Sequence, residues 1–404
     1  MKSNKTNMVL TILLANLFIA FLGIGLVIPV LPTIMNELHI SGKVVGYLVA
    51  AFALTQLAVS PIAGQWVDKY GRKIMIILGL IVFSLSELLF GLGKTVEMLF
   101  VSRLFGGVSA AFIMPAVTAY IADITTMETR AKALGYMSAA ISTGFIIGPG
   151  IGGFLAEIGP RVPFFGAAVL AFIAAILSVF ILQEPERQKE TEEIVTVKTN
   201  KIKRIFVPLY LFAFVVLFIS TFALAAFEAI FSLYVDHKFG FTPKDIAVII
   251  TGAALVGALV QILLFDRVIK WLGEVRLVRY SLIFSGLFVF LMTIANSYVH
   301  VLLVTVFIFT GFDLVRPAVT SYLSKVAGNE QGFVGGINSM FSSLGNVFGP
   351  IIGGALFDID LDYPFLFAGF AMIIGIIVAY IWKQPGRINI VPTKGKRKLF
   401  EAKK

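Results

Sequence analysis

Five charged residues of this 404-residue sequence stand inside long apolar runs: Glu87, Arg103, Glu228, Asp313 and Arg316. Acids and arginines in such surroundings can exchange protons, hold a cation or neutralise one another. Asp313 and Arg316 are three residues apart, a spacing that places two side chains on one face of a helix. Pro317 follows at once and can open the backbone nearby. An ion pair is expected there. Glu228 has no basic neighbour in its own run, and Phe222, Phe227 and Phe231 flank it. A carboxyl group so placed is a candidate for proton exchange, and the phenylalanines offer apolar and cation–π surface to a lipophilic cation. Glu87 and Arg103 lie at similar distances from the short connection at Lys94, so they can meet at equal depth. Glu87 is expected to be a structural partner.

These residues need elements that can hold charge in an apolar medium. Hydrophobic residues make up 58% of the chain and charged residues only 14%, against about a quarter charged in a soluble domain. The apolar residues come in blocks, and about 20 of them cross the hydrocarbon core as a helix. Within a membrane the backbone must satisfy its own hydrogen bonds, so the blocks are helices. Twelve spans are predicted, over 8–34, 44–66, 74–93, 96–120, 134–157, 162–182, 206–234, 245–266, 276–295, 298–322, 332–356 and 363–382. The expected fold is therefore all-α and integral to the membrane. The first run is too long for the apolar core of a signal peptide and is read as a retained span. Each buried charge would cost about 2.5–3.5 kcal/mol at the membrane centre, or roughly 12–18 kcal/mol for five left unpaired. A marginally stable fold cannot carry that sum. The five must face each other, a cavity or protons.

The spans leave no room for a soluble catalytic domain. The sequence has no cysteine, which excludes disulfides and thiolate chemistry. His39, His237 and His300 form no metal-ligand pair at helical spacing. No GxxxxGK[ST] loop is present, so ATP is not the expected energy source. No GxSxG or HExxH motif supports an enzyme. No metal or organic cofactor is expected.

Charge bias sets the expected orientation. Of the 33 Lys and Arg residues, only Lys43, Lys94, Arg161, Lys238 and Lys244 fall in loops after odd-numbered spans. Lys69, Arg72, Lys73, Arg130, Lys132, Arg204, Arg267, Arg276 and Lys396 exemplify the other side. Both termini are expected in the cytoplasm. The net charge of +10 follows from this bias and calls for no nucleic acid. The run Lys394, Lys396, Arg397 and Lys398 is read as a tail.

The sequence is internally duplicated. Pro115-Ala-Val-Thr-Ala-Tyr120 returns as Pro317-Ala-Val-Thr-Ser-Tyr322, and Gly144-Phe-Ile-Ile-Gly-Pro-Gly-Ile-Gly-Gly153 as Gly345-Asn-Val-Phe-Gly-Pro-Ile-Ile-Gly-Gly354. Duplicated six-helix halves are a transporter signature, with substrate sites between the repeats. The predicted organisation is a first bundle over 1–182, a polar linker over 183–204, a second bundle over 205–384 and a basic tail over 385–404.

Four stretches carry a family resemblance. They are Gly64-Gln-Trp-Val-Asp-Lys-Tyr-Gly-Arg-Lys73, Arg103 followed by Gly106 and Gly107, the Gly144–Gly153 run, and Leu22-Gly-Ile-Gly-Leu-Val-Ile-Pro-Val-Leu-Pro32. Together they resemble the drug/proton antiporter branch of the major facilitator superfamily over nearly the whole chain. Gly135-Tyr-Met-Ser-Ala-Ala-Ile-Ser142 and Gly311-Phe-Asp-Leu-Val-Arg-Pro317 are similar to the Bmr/NorA-type bacterial multidrug exporters. The resemblance implies two pseudo-symmetric six-helix bundles. It implies a gate latch at Gly64, Asp68, Gly71, Arg72 and Lys73, and a sealing bend at Gly144, Gly148, Pro149, Gly152 and Gly153. It also implies proton coupling at Arg103, Glu228, Asp313 and Arg316. Asp68, at a helix end, can face the N-terminal dipole of another helix. The second-half counterpart of the loop keeps Asp266 and Arg267 but displaces Gly273.

Candidates for the cavity wall are Phe21, Phe145 and Phe227, with Gln56 and Asn346 as amides able to hydrogen-bond a ligand. The expected function is export of amphipathic, often cationic drugs and dyes in exchange for protons, driven by the proton gradient. The expected place is the lipid bilayer of a bacterial plasma membrane, and the expected assembly is a monomer. The alternatives are export of a single metabolite such as a polyamine or sugar, a membrane-embedded enzyme, and a channel.

Overall fold

The computed structural model describes residues 2–185, 208–327 and 331–382. Most of the expected linker and all of the basic tail lie outside them. Among the described residues twelve stretches are helical, long and apolar enough to cross a membrane, and all twelve predicted spans are found. The first is broken. Helix α1 (Lys2–Leu26) passes through a 3-10 turn at Ile28–Val30 into α2 (Leu31–Leu38), where Pro29 and Pro32 remove two backbone donors. The first half continues with α3 (Gly42–Tyr70), α4 (Arg72–Leu92), α5 (Val96–Ile124), α6 (Met127–Ala156) and α7 (Val162–Ile181). The second half holds α8 (Pro208–Phe239), α9 (Pro243–Leu272), α10 (Glu274–Thr293), α11 (Tyr298–Ala327), α12 (Gln331–Phe357) and α13 (Tyr363–Ile381).

Several helices outrun their apolar blocks. Helix α3 continues through Asp68 and Lys69 to Tyr70, because the hydrogen-bond ladder does not stop where hydrocarbon stops. Its end is set by Gly71, whose φ of 104° few other residues adopt. Gly273 turns the chain from α9 into α10 with φ 77°. Sequence spacing made it look displaced; the structure puts it at the same junction as Gly71.

One end of the molecule carries Arg72, Arg130, Arg276 and the starts of α1 and α8; it is called the basic end. At the other, far end, the halves meet. Helix α3 packs on α12, and α6 on α9. A Cβ added to Gly46 would meet the Pro350 carbonyl, one at Gly354 the Gly42 carbonyl, and one at Gly153 the Pro243 carbonyl. On the same helices toward the basic end, Gly64, Gly135, Gly335 and Gly336 have nothing within 4 Å of an added Cβ. The apolar core follows the same division. Val30, Ile34, Val45 and Leu48 of the first half share one buried cluster with the second half. Leu13, Leu17, Val67, Met75 and Ile121, nearer the basic end, form a cluster with first-half residues alone. The halves therefore enclose a cleft that is sealed at the far end and open at the basic end.

Candidate transport cleft and its charged residues

Helix α8 is the most deeply packed span, and its burial shows where the cleft is. Between Thr221 and Val235 every residue is buried except Glu228, which is exposed, and Leu224, which is half-buried. A helix enclosed on its other sides can expose one carboxylate only to an internal opening. Phe222, Phe227 and Phe231 turn away from it. Phe227 is 1% exposed and packs against the rings of Phe231, Phe309 and Phe365. The expectation of Phe227 on the cavity wall is therefore corrected: its ring belongs to the core of the second bundle. One step along a helix turns a side chain by about 100°, enough to separate it from Glu228.

Asp313 on α11 is half-buried against α9, where a Cβ on Gly257 would take the place of its Oδ2. The expected Asp313–Arg316 ion pair is not formed among the described residues. Arg316 is exposed, and a three-residue step leaves side chains about 60° apart. Here that is enough for Asp313 to face α9 while Arg316 does not.

On the first-half wall, Phe21 and Phe145 pair with ring centroids 5.0 Å apart. Phe145 is 41% exposed. Gln56 is half-buried on α3, where its backbone abuts Gly107 of α5. Asn346 is exposed on α12. It lies one and two turns before Pro350 and Gly354, the residues that touch α3, so it continues their stripe into the region where the halves part.

The glycine run of α6 splits into two roles. Gly144, Gly148 and Gly152 let α1 approach, meeting the backbone at Phe18, Leu22 and Leu26, and Pro149 lies against Gly25. Gly150 and Gly153 reach the other half, at Thr251 and at Pro243 of α9. The repeat does the same: Gly345, Gly349 and Gly353 face α8, and Gly354 faces α3. Helix α6 runs through Pro149 without interruption.

At the basic end, Arg72 is buried and donates from Nε to Asp123 Oδ2 at 2.9 Å and from Nη1 to the Val67 carbonyl at 3.2 Å. The amides of Arg72 and Lys73 donate to the two oxygens of Glu184, at 2.6 and 2.9 Å. Lys73 Nζ donates to the Val179 carbonyl at 2.8 Å. Asp68 has a side chain 73% exposed, 3.4 Å from Arg72 Nη1. It does not face a helix N-terminus in this conformation, because the cleft is open beside it; Glu184 caps α4 instead. Asp123 and Glu184 were absent from the sequence-based site, since nothing in their own spacing points to the loop.

The far end carries contacts that spacing does encode. Asp358 accepts from the Gly42 and Lys43 amides at 2.7 and 3.0 Å. Glu157 meets Lys244 Nζ at 3.0 Å. Asn36 Nδ2 donates to Asp236 Oδ2 at 3.2 Å. All three cross from one half to the other. Glu157 and Asp358, like Lys43 and Lys244, stand at the offset of the Gly144–Gly153 repeat.

Inside the first half, Glu87 and Arg103 do meet, with Arg103 Nη2 3.8 Å from Glu87 Oε1. The guanidinium lies over the Phe90 ring at 4.3 Å.

Two duplicated six-helix bundles around a cleft that opens at one end and carries acids with no ion-pair partner among the described residues define a secondary transporter built for alternating access. The chain belongs to the Major Facilitator Superfamily, whose family model matches residues 13–270 and 213–403. It is a multi-pass membrane protein. It is 68% identical over 385 residues to Multidrug resistance protein 1 of Bacillus subtilis, covering 95% of this chain and 99% of that one. It is 43% identical over 373 residues to the Quinolone resistance protein NorA of Staphylococcus aureus, covering 92% and 96%. Among solved structures it resembles a bacterial homolog of the human lysosomal transporter Spinster, in an inward-facing and unoccupied conformation (TM-score 0.78, 16% identity, 94% and 95% covered). The nucleoside transporter NupG is similar too (TM-score 0.77, 13% identity, 92% and 98% covered). At those identities the structures speak to fold alone.

Proposed function

We propose that this protein exports amphipathic, often cationic compounds across the bacterial plasma membrane in exchange for protons. The basic end, with both termini, is cytoplasmic, so the cleft described here is the inward-facing state that loads substrate. The observation that carries the reading is Glu228. It is an acid with no basic partner among the described residues, exposed in the middle of an otherwise buried helix. Such a group can bind either a proton or a cation, and exclusive occupancy of one site by the two is the simplest basis for antiport. The names of the two relatives support drugs as the cargo. A proton gradient supplies the energy, with no cofactor.

The test is dye transport by purified protein in liposomes. An imposed pH gradient should drive uphill movement of an ethidium-like cation, a protonophore should abolish it, and unrelated dyes should compete. Uphill transport driven by ATP without an ion gradient would overturn the reading. Transport of a single metabolite, with no competition between dyes, would replace drugs as cargo.

A further inference from the structure

The acid of the first half, Glu87, takes no part in the cleft. It is 1% exposed on α4, and Arg103 on α5 is 8% exposed. Their one contact, at 3.8 Å, is too long for a hydrogen bond. Glu87 Oε2, Arg103 Nε and Arg103 Nη2 are buried without any hydrogen-bond partner. The hydroxyls nearby are committed elsewhere. Ser86 and Ser102 each donate to the other's carbonyl at 2.8 Å, and Ser109 donates to the Gly79 carbonyl at 2.8 Å. No second charge reaches Glu87 from the helices around α4. Helix α7 has no charged residue, the described side chains of α1 have none, and Lys43, Asp68 and Lys69 sit at the ends of α3. On α5, Glu97 and Asp123 lie near the two ends.

A buried ion pair kept for stability needs close geometry and partners for its remaining donors and acceptors. This pair has neither. A carboxyl group is far cheaper to bury with a proton on it, and Arg103 already rests on Phe90, which can hold a cation without a carboxylate. A small cavity lies one turn away from the pair. It is apolar, sits between α1, α4 and α5, and is lined by Phe21, Ile24, Phe83, Gly106 and Met114. Phe83 is one turn before Glu87, Gly106 is one turn after Arg103, and Phe21 pairs with the exposed Phe145.

We propose that Glu87 is a second proton-binding group of the transporter, alternating between a carboxylate facing Arg103 and a neutral acid that leaves Arg103 on Phe90. The proton adds to a Glu87 oxygen from water, and Arg103 stays charged throughout. The proposal rests on the antiport reading for its use, but not for its test.

The test is a pH titration followed by infrared difference spectroscopy, on lipid-reconstituted wild type, Glu87→Gln, Glu228→Gln and a Glu87→Gln/Arg103→Gln double variant. The carboxylic C=O band of a protonated, buried acid should titrate in wild type. One component should vanish in Glu87→Gln and persist in Glu228→Gln. Glu87→Gln mimics the neutral acid, so it should fold with wild-type thermal stability. An unchanged carboxyl titration in folded Glu87→Gln overturns the proposal. So does a Glu87→Gln variant that fails to fold while the double variant folds, since that pattern defines a structural ion pair. A Glu87 titration in a protein that shows no pH-driven efflux would leave this site standing and remove the antiport reading instead.

Discussion

Asp358 holds Gly42 from the other half of the molecule: its carboxylate accepts the Gly42 amide at 2.7 Å and the adjacent Lys43 amide at 3.0 Å. The acid follows α12 and the amides open α3, so a second-half charge caps a first-half helix at its positive end. The internal repeat places Glu157 and Lys244 in the same relationship, but with different chemistry. Pro243 has no N–H to offer, and the first turn of α9 is already capped by Thr242 and Asp245. Glu157 therefore takes the Lys244 ammonium, and both side chains are about half exposed.

Asp358→Asn should loosen the far-end seal. The loss is that of a helix cap, about 1 kcal/mol, or roughly a five-fold shift in the open–closed balance. Glu157→Gln should shift it less, and less still at high salt, as exposed pairs do. The chain has no cysteine, so spin labels at Tyr70→Cys and Trp271→Cys report the basic end alone. Their separation should shorten in Asp358→Asn. An unchanged distance distribution would mean that the glycine seams close the far end without this cap.

Gly71→Ala should destabilise the protein by about 1–3 kcal/mol, the range for a non-glycine residue held in strained backbone. Its φ is 104°, and the new methyl would press on the Glu184 carboxylate that caps α4. Thermal unfolding in detergent measures this. A wild-type midpoint would show that the turn can relax without losing the Glu184 cap.

Much of this was legible from residue order, and the misses have physical reasons. The spans follow from hydropathy, because a bilayer allows little else. Glu228 stood out because a lone acid in an apolar run needs an explanation. Phe227 did not belong with it, because an enclosed helix gives a cleft only one narrow face and adjacent residues diverge around it. Asp313 and Arg316 were paired by spacing alone, but Gly257 of α9 offers Asp313 a place that no local rule reveals. Asp358 and Gly42 are far apart in sequence, and Asp358 is an unremarkable loop acid until it is laid on Glu157 by the repeat. Glu184 caps α4 from the start of the linker, a contact set by how α7 ends beside Lys73.

Arg103→Lys keeps the charge and loses the planar guanidinium that lies over Phe90 and reaches toward Glu87. An ammonium is a compact point charge with other geometry. The variant should reach the membrane at wild-type levels and lose most pH-driven dye efflux. Wild-type efflux would show that only the charge at this position matters.

Glu228 and Asp313 give the sharpest test, because they are the two acids within the apolar runs of the second half. Glu228 is the more exposed, so it should meet a cationic substrate directly. Glu228→Gln retains size and removes charge. It should lose cationic dye transport while keeping measurable binding of a neutral compound. Asp313→Asn alters a carboxylate seated on α9 at Gly257. It should weaken cationic and neutral substrates alike. If the two acids serve one cation or proton site, the double variant should not show the sum of the two single losses; neighbours that share an interaction deviate by about 0.5–3 kcal/mol. The measurement is dye affinity in the four proteins of this cycle, at equal protein amounts, with one cationic and one neutral ligand. Strict additivity would separate the two acids into independent sites. Equal loss of both ligands in Glu228→Gln would give that residue a structural rather than a charge-selective role.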